Sequence, residues 1–124
     1  MKKFFLFGSI LMALAVILGA FGAHGLEEIL IENQRLDTYE TAVKYHFYHA
    51  LGLILIGTIA GYIKDNMNLV FYFMIFGVLI FSGSLYTLSI TNIKWLGAIT
   101  PIGGLLFISA WILLALKVAK SFKD

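Results

Sequence analysis

The residues of this chain that could carry chemistry are His24, His46 and His49, Ser82 and Ser84, Tyr86, and the Thr100-Pro101 pair. His46 and His49 stand at i, i+3, so on a helix they share a face. With His24, and with Glu27 or Glu28 close to it in sequence, neutral imidazoles and a carboxylate suit zinc, copper or non-haem iron. An imidazole can also serve as a proton carrier near neutral pH. Ser84 with His49 or His24 supplies the pieces of a nucleophile and base, which must meet within hydrogen-bond reach beside an oxyanion donor. There is no cysteine, which removes disulfides, thiolate metal sites and cysteine nucleophiles together. No Gly-rich phosphate loop or clustered basic patch points to nucleotide or nucleic acid.

The elements that must hold these side chains are apolar. Of 124 residues 60% are hydrophobic and only 13% charged, with a mean hydropathy of +0.93. A single domain of that length has too little interior to hide so much apolar surface, so lipid must be part of its solvent. The sequence predicts an all-α, polytopic membrane four-helix bundle in one transmembrane domain, 1–124, with spans at about 4–24, 38–63, 69–88 and 95–118. An alternative for the first run is a secretory signal, with Lys2 and Lys3 before it and Ala20-Phe21-Gly22 as a cleavage site. Three further spans and an overlong apolar region weigh against it. Residues 25–37 form an acidic external loop, and Asp37 followed by Glu40 resembles a capping box that starts a helix near Thr38.

Alternating direction places Lys2, Lys3, Lys64, Lys117, Lys120 and Lys123 on one side and Arg35, Lys44 and Lys94 on the other. The positive-inside bias then puts both termini in the cytoplasm of a plasma-membrane protein. Tyr45, Tyr48, Tyr86 and Trp95 fall where an outer aromatic belt belongs. The same alternation brings His24, His49, Ser82, Ser84, Tyr86, Thr100 and Pro101 to one depth, in the outer leaflet. Polar groups at that depth must pair or line a wet cavity, so His24, His49, Ser84, Tyr86 and Thr100 are expected to form one connected network. His24 and His49 should point into the bundle, and a metal, if any binds, should use those two.

Small residues predict where backbones approach. Ala15, Gly19 and Ala23 make a ridge on the first span, Gly57 and Gly61 a GxxxG pair on the second in line with Leu53 and His49, and Gly103 and Gly104 loosen the fourth. Those faces could pack within the chain or join copies into a homo-oligomer. Pro101 removes a donor and clashes with the turn before it, so the fourth span should kink, or break with Thr100 as N-cap and Pro101 at the first helical position.

Four segments together resemble a known family. Gly19-Ala20-Phe21-Gly22-Ala23-His24-Gly25, Tyr45-His46-Phe47-Tyr48-His49-Ala50, Phe81-Ser82-Gly83-Ser84-Leu85-Tyr86 and Thr100-Pro101-Ile102-Gly103-Gly104 are similar, in this order, to the YwdK/YgdD family. These are small four-span membrane proteins, classed as a domain of unknown function. The resemblance covers essentially the whole chain. It implies His24 and His49 as pattern positions, whereas the pattern usually has Gln at His46 and Gly-Trp at Ala110-Trp111. It implies an architecture and no reaction.

The function expected is that of a non-enzymatic accessory or structural membrane protein whose outer polar cluster packs the bundle or binds a lipid headgroup or partner. A small transporter or channel using the His/Ser/Tyr cluster is the alternative, although Glu40 lies in the first turns of 38–63, outside the bilayer, and the spans carry no Asp or Glu at membrane depth to couple protons. A metal- or haem-binding protein and an intramembrane hydrolase are the others. No cofactor is expected, nor nucleic acid; the partner is the lipid bilayer.

Overall fold

Charge-free runs of Leu, Ile, Phe, Ala and Val become helices because only an intrasegment hydrogen-bond ladder satisfies the backbone away from water. The computed structural model describes residues 1–122, which form helices joined by short turns, with no strand among them. Helix α1 (Lys2–Ala23) is followed by a two-turn α2 (Glu27–Glu32) and a long α3 (Leu36–Ala60). Helix α4 (Asn68–Gly77) passes through a π-helical turn (Val78–Ser82) into α5 (Gly83–Thr91). A 3₁₀ segment (Lys94–Ala98) leads into α6 (Thr100–Ser121). Three continuous helical stretches are long and apolar enough to cross a membrane: Lys2–Ala23, Asn68–Thr91 and Lys94–Ser121. Helix α3 has Asp37, Glu40, Lys44, His46 and His49 between its first turn and its middle and is not among the three.

Helix α1 runs antiparallel along α3, and α4 along α6, with the π turn between α3 and α6 and α5 packed on α3 and the 3₁₀ segment. At one end, Lys3 reaches the Asn68 side chain, and Asp65 takes Lys120 at 3.3 Å and Lys117 at 4.0 Å. The start of α1 and the end of α6 therefore lie at the same end of the bundle. At the other end, Asn33 donates to the carbonyls of Ser89 (3.1 Å) and Ile90 (3.0 Å), and Arg35 Nε donates to Asn92 Oδ1 at 3.2 Å. Lys123, counted above with the first end, lies outside the described residues. The core runs through Phe4, Ala50, Leu53, Ile56, Val70, Met74, Phe107 and Ala110. Ile10, Ile17 and Phe21 on α1, Leu51 and Leu55 on α3, and Leu105, Ile112 and Leu116 on α6 project outward. So much exposed apolar surface on one small chain fits contact with lipid.

Local structure departs from expectation in instructive ways. Segment 25–37 contains α2, which ends in a Schellman turn. Gln34 takes φ 57°, Arg35 N–H bonds the Leu30 carbonyl at 2.8 Å, and Gln34 N–H bonds that of Ile31 at 3.0 Å. That tight corner starts α3 at Leu36, so Asp37 sits in its first turn and no side chain caps it. The ridge Ala15, Gly19, Ala23 is replaced by Ala15, Gly19, Gly22: a Cβ on Gly22 would run into the Tyr39 ring, whereas Ala23 is exposed. A strict i+4 row drifts around a helix with 3.6 residues per turn, so a long seam must alternate steps of four and three. A Cβ on Gly57 would stand 2.9 Å from Phe4 Cβ, and one on Gly61, exposed at the helix end, 2.9 Å from Met1 Sδ. Gly103 lies so close to the Phe81 backbone that a Cβ would sit 2.7 Å from Phe81 Cα, whereas one on Gly104 would stand 3.8 Å from the Phe81 ring, in ordinary contact. At Gly22, Gly57, Gly61 and Gly103 the small faces are thus filled from within the chain. The fourth span changes at Pro101 from a 3₁₀ segment that ends at Ala98 to an α-helix that starts at Thr100, with Ile99 as N-cap, Pro101 in the first turn and Ile102 N–H bonded to Ile99 O at 3.0 Å. Thr100 makes no capping bond; its hydroxyl faces Ser84 instead.

Candidate functional site

The polar side chains inside the bundle fall into separate groups around α3. On the α6 side, His49 is buried and its ring stacks on Phe107, with centroids 3.5 Å apart and planes 11° from parallel. Its Nδ1–H donates to the Tyr45 carbonyl at 2.8 Å, one helical turn back. Its Nε2 accepts the indole N–H of Trp111 at 3.0 Å. Those two partners fix one neutral tautomer and leave neither ring nitrogen free. Tyr45 closes the group from above, its ring 4.7 Å from that of Phe81.

On the α1 and α5 side, His46 is 3% exposed and its Nδ1 shares a hydrogen bond with the Tyr86 hydroxyl at 2.9 Å. Tyr86 meets Tyr39 edge to face at 5.2 Å, and the Tyr39 hydroxyl donates to the Leu18 carbonyl of α1. His46 Nε2 is the one buried side-chain nitrogen or oxygen among the described residues without a hydrogen-bond partner. Between the two histidine groups, Ser82 donates to the Ala42 carbonyl of α3 at 2.8 Å. Farther toward α6, Ser84 and Thr100 hydroxyls stand 2.6 Å apart, with Ser84 also donating to the Phe81 carbonyl at 3.0 Å.

The expected single network is therefore divided. Ser84 and Thr100 meet each other, Tyr86 meets His46, and Ser82 bonds backbone. His49 meets Trp111, while Pro101 is exposed at the start of α6. His24 does not join them: it follows the last turn of α1 with φ −125° and ψ −61°, exposed at the surface. Topology fixes a residue's depth, but beyond the final helical turn the azimuth no longer follows the helix. Tyr86, placed in the outer belt from its sequence position, is half-buried and faces inward, whereas Tyr45, Tyr48 and Trp95 are exposed. Two residues of this interior went unassigned in the sequence, His46 as a partner of Tyr86 and Trp111 as the donor to His49. The signal for Trp111 was present, because an indole N–H within an apolar helix needs an acceptor.

The geometry also narrows the chemistry. A metal at His24 and His49 would need the Nε2 lone pair that Trp111 occupies. Among the described residues no group of three His, Asp or Glu side chains could hold an ion. No hydrogen bond joins Ser84 to a histidine among those residues, so the serine has no base.

A family described as "Protein of unknown function (DUF423)" matches residues 18–104. A UPF0382 membrane protein of Staphylococcus haemolyticus is 48% identical over 120 residues, covering 97% of this chain and 98% of that relative. The chain belongs to the DUF423 family. The UPF0382 membrane protein YwdK of Bacillus subtilis is 46% identical over 122 residues, 97% of this chain and 98% of its own. No solved structure matches. All four segments that carry the resemblance lie inside the DUF423 match, and they contribute the end of α1, the middle of α3, the π turn with α5 and the start of α6. This DUF423 chain is an integral membrane protein, and no activity comes with the family.

Proposed function

We propose that the chain is a non-enzymatic, four-span protein of the cell membrane, with both termini in the cytoplasm, whose outer half is a hydrogen-bonded polar core. The core holds the helices in register and leaves the acidic outer end free for a lipid headgroup or partner. The observation that carries this reading is His49, whose two nitrogens are both engaged by the protein itself, by Tyr45 and Trp111. A catalytic or ligating imidazole needs at least one nitrogen for its substrate or ion. Support for α3 as the fourth span comes from Leu51 and Leu55, which project outward level with the apolar faces of α1 and α6, and from its full-length packing along α1.

The test is a double-mutant cycle on the interhelical pair, read by unfolding in detergent. Ser84→Ala and Thr100→Val should each cost about 0.6 kcal/mol, the average for such bonds in membranes. The double variant should cost less than the sum, because the second change removes a bond already lost. Strict additivity would remove the structural role.

A further inference from the structure

At the outer end, the last turns of α1 and the first turns of α3 flank a groove of about 370 Å³. Its depth is apolar, between Gly19 on α1 and Val43 on α3, with the buried Tyr39 as an end wall. At Gly19 a Cβ would already be in ordinary contact, 3.5 Å from Val43 and 3.8 Å from Phe47, so the branches of a larger side chain there would have to turn into the groove. The rim carries Glu27, Glu40 and Lys44. All three are exposed, and among the described residues none of them forms an ion pair, although Glu40 and Lys44 stand at i, i+4. Beside the groove, Ala20 and Phe21 present an apolar surface outward.

A site with an apolar floor and a charged mouth, set where a span meets the interface, matches an amphipathic ligand that approaches from the membrane. The charges narrow its head. Two carboxylates against one ammonium leave the rim at −1, which disfavours a head of net negative charge. Carboxylates bind best a cation that can donate N–H bonds, and a quaternary ammonium has none to give. Lys44 supplies the complement for a phosphate.

We propose that this groove binds one phospholipid whose headgroup joins a phosphate to a primary amine, the amine held by Glu27 and Glu40, the phosphate by Lys44, and an acyl chain along Gly19 and Val43. The inference rests on the acidic end lying at the membrane interface, and does not depend on which leaflet that is.

Native mass spectrometry of the full chain in mild detergent, with equimolar phosphatidylethanolamine, phosphatidylcholine and phosphatidylglycerol of identical acyl chains, tests it. One ethanolamine lipid should be retained, with about tenfold preference over the other two, the scale of one charge-assisted hydrogen bond. Glu27→Gln combined with Glu40→Gln should erase that preference, Lys44→Gln should weaken all three lipids, and Gly19→Leu should expel lipid from the groove. Unfolding of the Glu27→Gln/Glu40→Gln and Lys44→Gln variants in lipid-free detergent should stay near that of the unaltered protein. This separates loss of the site from loss of the polar core, which would lower stability whatever the lipid. Equal retention of the three lipids, a preference that survives in the Glu27→Gln/Glu40→Gln variant, or a dimer that binds no lipid would overturn the proposal.

Discussion

His49 lies between a backbone acceptor, an indole donor and a phenyl face, and each contact limits what can replace it. Alanine there empties the space between Phe107 and Trp111 and should cost about 2–5 kcal/mol, the range for deleting a large core side chain. Phenylalanine keeps the ring and the stack but leaves the Trp111 N–H without its acceptor, so it should cost roughly 1–3 kcal/mol. Adding Trp111→Phe to His49→Phe removes the stranded donor, and unfolding in detergent should show part of that loss recovered. A double variant less stable than His49→Phe by the full Trp111→Phe increment would contradict the pairing. The depth of these residues was legible in the sequence, since span order alone brings His49, Ser84 and Thr100 to one layer. Their partners were not. Azimuth around a helix decides whether His49 meets Trp111 or Ser84, and it depends on crossing angles that no spacing encodes.

The existence of the long helices followed from uninterrupted apolar runs, but their irregularities did not. Val78-Leu79-Ile80-Phe81-Ser82 has no composition that separates a π turn from an α turn. What marks the site is the neighbour: α6 reaches it at Gly103, where a Cβ would collide with the Phe81 backbone. Backbone cannot yield as a flexible side chain can. Gly103→Ala should therefore destabilise by about 1–3 kcal/mol, as overpacking does. Gly83, the first residue after the π turn, has nothing within 4 Å of its would-be Cβ. Gly83→Ala should stabilise by about 0.5–1 kcal/mol through helix propensity alone. The two substitutions, measured side by side by thermal unfolding in the same detergent, separate close approach from general helix loosening. Equal losses at both positions would defeat the explanation. The same reasoning accounts for Pro101, which sits at the start of α6, where its missing N–H costs little.

For the molecule as a whole, the remaining prediction is orientation, and it rests on where the charges gather. Contacts bring Lys3 beside Asn68, and Lys117 and Lys120 beside Asp65, so the lysines of both terminal helices share one end with Lys64. The opposite end has Arg35, Lys44 and Lys94 among Glu27, Glu28, Glu32, Asp37 and Glu40. Only the basic residues set insertion, because acidic ones contribute little, and short flanking segments such as these are the ones that count. The lysine-rich end should therefore stay in the cytoplasm, with α1 outward, α3 inward, α4 and α5 outward and α6 inward. A periplasm-active or surface-active reporter fused after Asn33 should be active, and the same reporter after Lys123 silent. A cytoplasm-active reporter should give the reverse pattern. Opposite sides for the two fusions with Asn33 inside would invert the orientation. The same side for both would instead remove α3 as a span, since only an odd number of crossings can separate Asn33 from Lys123.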